Sequence, residues 1–152
     1  MRNLDDYART VCKAESEYKN SAAGLFRKLL EKAIVPNGQP ALADAIDGFA
    51  RLLDDLAVKN EEFGDPPNGE GAGRAKALAD DQRRTAREVR SIAEATRTTE
   101  SANVKQMLTD LKQTLLGGAT RETEVLQKYP TPELDSAKRA IPGCVDSEPA
   151  PS

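Results

Sequence analysis

Between Leu42 and Phe63 the apolar residues fall at alternating steps of four and three: Leu42, Ile46, Phe49, Leu53, Leu56 and Phe63, with Asn60 in the one missing place. A strand repeats every two residues, so this interval calls for a helix that lays a narrow seam along a neighbour. The preceding stretch has the same character. Leu4, Val11, Tyr18 and Leu25 recur every seven residues, with Ala8, Ala22 and Leu29 in the second row of the stripe. No useful length of the chain alternates with period two, so the fold class is all-α.

Helix signals divide the chain. Asn3 is a good N-cap, with Asp5 and Asp6 placed for the helix dipole, and predicts a first helix over 3–34. "VPNGQP" ends it and Pro40 opens a second helix over about 40–63. "GDPPNGEGAG" (64–73) is the clearest break and reads as a flexible connector. A third helical region runs over about 72–116, with a kink or short turn expected at "TRTTES" (96–101) and Gly117-Gly118 as its C-terminal cap. Short helices follow near 120–129 and 132–140, the latter announced by Thr131-Pro132-Glu133, and 145–152 is a disordered tail. The expected architecture is an elongated up-down bundle of three to four main helices plus short C-terminal helices, one domain over 1–144. The connection 35–39 is too short for a long crossover, so the first two helices should be antiparallel.

The chain has no histidine. That removes the commonest general base and the commonest metal ligand together. Adjacent carboxylates such as Asp54-Asp55 and Asp80-Asp81 diverge by about 100° on a helix and cannot share a metal or a proton. No serine lies in an elbow motif and neither cysteine has a histidine to deprotonate it. An enzyme is not expected, nor any cofactor or metal. The net charge of −3 with aromatics at 4% argues against nucleic acid, because neither a basic field nor stacking platforms are present. No apolar run is long enough to span a bilayer.

Three features invite chemistry. Gly69, Gly71 and Gly73 could cradle a phosphate, but the dinucleotide pattern breaks at Arg74 and a connector is the simpler reading. Glu15 falls on the apolar stripe of the first helix. It either snorkels to water at the stripe's edge or lines a polar interior site with Asn60 and Gln82, which also interrupt apolar rows. Lys76, Arg83, Arg90 and Arg97 are spaced by sevens with Arg87 beside them. This basic stripe could receive an anion or an acidic partner. The expected reading is a solvated face, with Asp80, Glu88 and Glu94 pairing to Arg84 and Arg90 along the same helix.

The two cysteines, Cys12 and Cys144, stand near opposite ends of the chain. Cys12 lies on the rim of the first helix's apolar face, and Pro142-Gly143 can turn Cys144 toward it. A disulfide closing nearly the whole chain is expected, and with it an oxidising compartment.

Tyr7-Ala8-x-x-Val11-Cys12, the Pro66-Pro67 break and Ala137…Ile141-Pro142-Gly143-Cys144 resemble small secreted proteins and lipoproteins of actinobacteria. The resemblance implies an extracytoplasmic place, with Met1 standing for a removed leader and a lipid anchor upstream of it. Two functions are open on this reading. One is a non-enzymatic module that binds a protein or a cell-envelope component. The other is a carrier or sensor bundle with a small-ligand site near Glu15.

Overall fold

A computed structural model describes residues 3–144. The tail expected over 145–152 lies outside the described residues. Five α-helices follow one another: α1 (Leu4–Ala33), α2 (Gln39–Phe63), α3 (Arg74–Arg97), α4 (Val104–Lys128) and α5 (Pro132–Arg139), with a 3-10 turn at Ser101–Asn103 before α4. No strand occurs among the described residues.

The boundaries have local causes. Asn3 caps α1 by accepting the Asp6 backbone N–H at 2.8 Å. α3 has no cap at its own first position. Asp65 serves instead, one oxygen accepting from Gly73 N and the other from Ala75 N, each at 2.9 Å. α1 and α2 are antiparallel, as expected: Tyr7 Oη donates to Gly64 O at 2.6 Å, and Lys59 lies 3.5 Å from Glu17.

Alanine makes the α2–α3 contact. Ala43, Ala50 and Ala57 on α2 and Ala79, Ala86 and Ala93 on α3 each recur every seven residues, and all six are fully buried. Their short side chains bring the two axes close, which suits a chain poor in large apolar residues. Leu29, Leu42, Ile46, Phe49, Leu53, Val89 and Leu111 complete the main core. A second cluster joins Tyr7, Ala8 and Val11 of α1 to Leu134 of α5.

Lys76, Arg87, Arg90 and Arg97 are exposed and Arg83 is half-buried, but the ion pairs of the stripe are not the expected ones. Asp47, Asp54 and Glu61 step by seven along α2, and Arg97, Arg90 and Arg83 meet them from antiparallel α3. Arg97 Nη2 is 2.6 Å from Asp47, and Arg83 Nη1 is 2.8 Å from Glu61. The expected pairs within α3 give way to this ladder, because a heptad acid row on the neighbouring helix offers each guanidinium a partner. Asp80 pairs with Lys76, Glu88 with Arg121, and Glu94 approaches Arg97. Arg84 and Arg87 are exposed.

The third region is two helices, broken at residues 98–100 as the polar stretch suggested. Its expected end differs. Gly117-Gly118, expected to end a helix, lies inside α4, which absorbs the segment assigned to a separate short helix over 120–129. Gly118 is there for proximity: a Cβ at this position would stand 2.6 Å from Thr85 Oγ1 of α3.

Candidate ligand-binding cleft

α1 packs on α2, α2 on α3 and α3 on α4, while α5 packs on α1. Over part of their length α1 and α4 stand apart, leaving a cleft of about 300 Å³ floored by α2 and α3 and closed at one end by α5. The volume falls at the lower end of the range for small-molecule sites. Val11, Leu53, Leu56, Leu78, Leu126 and Leu134 supply apolar walls.

The polar groups come from every helix around it. Glu15 of α1 pairs with Lys138 of α5, Nζ to Oε1, at 2.8 Å, and Lys138 is only 3% exposed. Asn60 Nδ2 of α2 donates to Gln82 Oε1 of α3 at 2.9 Å. Gln82 Nε2 in turn donates to Glu122 Oε1 of α4 at 3.1 Å. Glu15, Asn60 and Gln82 all line this cleft, and the Glu15 side chain keeps 25% exposure. Glu15 faces Lys138 rather than either amide.

Tyr18 stands on the α1 wall, its hydroxyl pushed up to about 12 by burial and then by the negative charge of Glu122. Its phenol therefore stays protonated across the neutral range and can only lose that proton at strongly alkaline pH. At the closed end, buried Arg74 donates from Nη1 to Thr131 Oγ1 at 2.6 Å. Arg121, next to Glu122, turns to the other side of α4 and holds Asp81 at 2.6 Å and Glu88 at 3.0 Å.

α5 is fastened as a wall. Cys12 and Cys144 form a disulfide with a Cα–Cα distance of 5.5 Å, as the sequence suggested. Glu70, in the Gly/Pro segment, accepts from Glu133 N at 2.8 Å and Leu134 N at 3.2 Å, capping α5 from outside. Partial burial alone would raise the Glu70 carboxyl, yet these backbone bonds hold it below the ordinary glutamate value of 4.5. Asn68 adds a bond to Glu133 at 2.9 Å. Gly71 fits under the start of α5, where a Cβ would lie 2.8 Å from Thr131 Cγ2. The segment read as a flexible connector is thus tied to α5: Gly71 and Gly73 allow close approach to Thr131 and Tyr129, whereas Gly69 takes a positive φ in open space.

Sequence reasoning missed Tyr18 and Glu122, which line the cleft, and Lys138, which pairs with Glu15. Tyr18 was absorbed into an apolar stripe and Glu122 into a detached helix. Lys138 had a signal: Leu134, Lys138 and Ile141 step by four and three, which puts the lysine in the apolar row of α5. The stripe residues Lys76, Arg83, Arg87, Arg90 and Arg97 lie outside the cleft lining. No group of three or more potential ligands for a metal occurs among the described residues, and none of their helices is long and apolar enough to cross a membrane. Comparison with known proteins finds no matching family, no matching curated protein and no matching solved structure.

Proposed function

We propose that this chain is a non-enzymatic helical module, an elongated up-down bundle that holds a small amphipathic molecule in the α1–α4 cleft. The observation that carries the reading is convergence: five helices bring apolar walls and the Asn60–Gln82–Glu122 relay to one concavity. A concave apolar site with a few positioned polar groups is the usual form of a small-molecule pocket. Support for an extracytoplasmic place comes from the Cys12–Cys144 disulfide, since such bonds persist in oxidising compartments.

The test is ligand capture by the full chain with its disulfide intact. A fluorescent naphthalene dye should bind and be displaced by small amphiphiles. Leu78→Trp, which fills the cleft, should abolish binding while the helical signal and melting temperature stay near those of the parent. Dye binding unaffected by Leu78→Trp would refute the site.

A second reading, docking of a protein or cell-envelope component, has its own observation. Phe26, Leu30 and Ile34 project from one side of α1, with Val35 beside them, at 50%, 54%, 84% and 49% exposure. An apolar stripe of this kind marks many interaction surfaces.

A further inference from the structure

We infer that the cleft takes organic anions, a carboxylate carried on an apolar body, with Arg74 at the closed end as their anchor; this deepens the ligand-binding reading and rests on it. Arg74 opens α3 and lines the cleft, and it is only 9% exposed. A guanidinium cannot shed its proton in a protein, so its burial has to be offset by partners. The sheltered cations nearby have such partners: Lys138 holds Glu15, and Arg121 holds Asp81 and Glu88. Arg74 differs. It forms no ion pair with a described residue, and its side chain makes a single hydrogen bond, to the neutral hydroxyl of Thr131. That hydroxyl gives its own proton to Asp135 at 3.3 Å, which turns the oxygen lone pairs toward the guanidinium. A guanidinium carries a fork of N–H donors, and Thr131 takes one of them. No sealed side-chain nitrogen among the described residues lacks a hydrogen bond, so the nitrogens that Arg74 leaves unbonded are open to solvent.

The carboxylates of the region are engaged elsewhere or distant. Glu70 feels the guanidinium charge, yet its oxygens cap Glu133 N and Leu134 N and it is not part of the cleft lining. Glu15 is held by Lys138. Glu122 accepts from Gln82, which stands eight residues along α3 from Arg74, about 12 Å at the helical rise. Lys19, exposed at the rim, adds a second positive charge to the lining. Folding has already stripped most water from the guanidinium, so a ligand carboxylate meets a donor that is dehydrated and held in place. The planar fork matches both carboxylate oxygens at once. The apolar body then lies on Leu78, one turn along α3 from Arg74, and on Leu134, one turn along from Thr131.

The test compares three probes that share one apolar body: phenylbutyrate, phenylbutanol and phenylbutylamine. Each is titrated calorimetrically into the full, disulfide-bonded chain at neutral pH and low salt. Phenylbutyrate should bind at least about tenfold tighter than the alcohol, and the amine weakest. Arg74→Gln keeps a donor for Thr131 without the charge, so it should lower phenylbutyrate to the alcohol's affinity and leave the alcohol unchanged. Lys19→Gln should leave the preference for phenylbutyrate in place. If Arg74→Gln does not fold, the parent chain carries the test: phenylbutyrate should shift the side-chain Nε–H resonance of Arg74, and phenylbutanol should not. An alcohol or amine that binds as well as phenylbutyrate, a preference that survives Arg74→Gln or vanishes in Lys19→Gln, or an Arg74 resonance indifferent to phenylbutyrate overturns the Arg74 anchor while leaving the ligand site standing. Silence from all three probes overturns both.

Discussion

Lys138 Nζ lies 2.8 Å from Glu15 Oε1, joining the last helix to the first across 123 positions of sequence. The lysine is almost wholly buried and the glutamate side chain is 25% exposed. Removing one partner strands the other charge, whereas removing both leaves an apolar contact. Lys138→Met should therefore destabilise by about 1–3 kcal/mol, and Glu15→Gln added to it should recover part of the loss. Urea unfolding of the two variants measures this. Additive losses would mean that the ion pair is not the coupling.

Reduction should release α5 before the rest of the bundle. The disulfide closes a loop with a sequence separation of 132. A loop of this length gives roughly 5 kcal/mol in the chain-entropy model, and measured bonds usually fall to about 2–4 kcal/mol. Hydrogen exchange after a dithiol reductant should rise first over 132–144, with α2 and α3 protected. Uniform loosening of all five helices would count against α5 as a separately latched wall.

A late tyrosine step is expected in alkaline titration. The chain has three tyrosines, and Tyr18 is held up to about 12. A pKa raised on folding contributes stability that is present below the unfolded value, about 10, and is lost as pH climbs through the folded one. Tyr18→Phe should therefore remove phenolate absorbance from the most alkaline part of the titration. A Tyr18→Phe chain that loses absorbance near the ordinary tyrosine value of about 10 instead would remove burial and Glu122 as determinants.

Acid should act on the other side of the same wall. Glu70 titrates below its ordinary 4.5 in the folded state because it caps α5. For a carboxyl so depressed, the stabilisation exists above the unfolded value and disappears as pH falls through the folded one. Exchange protection at Glu133 and Leu134 should drop as pH falls past the ordinary glutamate value and through the lower folded one, and Glu70→Gln should flatten that dependence. No change across this range would mean that the cap holds independently of charge.

Gly118→Ala should destabilise by about 1–3 kcal/mol, because the new methyl would meet Thr85 across the α3–α4 contact. Thr85→Ala in the same chain should restore part of it. On an exposed helix position the same change would stabilise, so the sign of the effect in chemical denaturation is the measurement.

Legibility followed the range of the interactions. Residues 3–34 and 40–63 could be read as helices because their caps and apolar intervals are local. Gly118 misled for the opposite reason: glycine is a helix stop by local rules, and only the approach of Thr85 explains it within α4. Arg84 and Arg90 were matched to acids on their own helix because i to i+4 partners can be seen in one sequence. The partner that Arg90 takes, like those of Arg83 and Arg97, depends on the register between α2 and α3, which is a tertiary quantity. Asn60 and Gln82 stood out as polar interruptions of apolar rows. Their hydrogen bond, and the carboxylate of Glu122 that orients it, required three helices to be assembled.

The bond between Cys12 and Cys144 also orders events during synthesis. Cys12 emerges from the ribosome 132 residues ahead of its partner. α1, α2 and α3 can pair as they appear, since each packs on the one before it. The cleft cannot: its end wall is α5, among the last described residues to be made, and the thiol of Cys12 must wait reduced until then. Until α5 is made the cleft lacks its end wall, and the bond that ties Cys12 to Cys144 can close only after that wall exists.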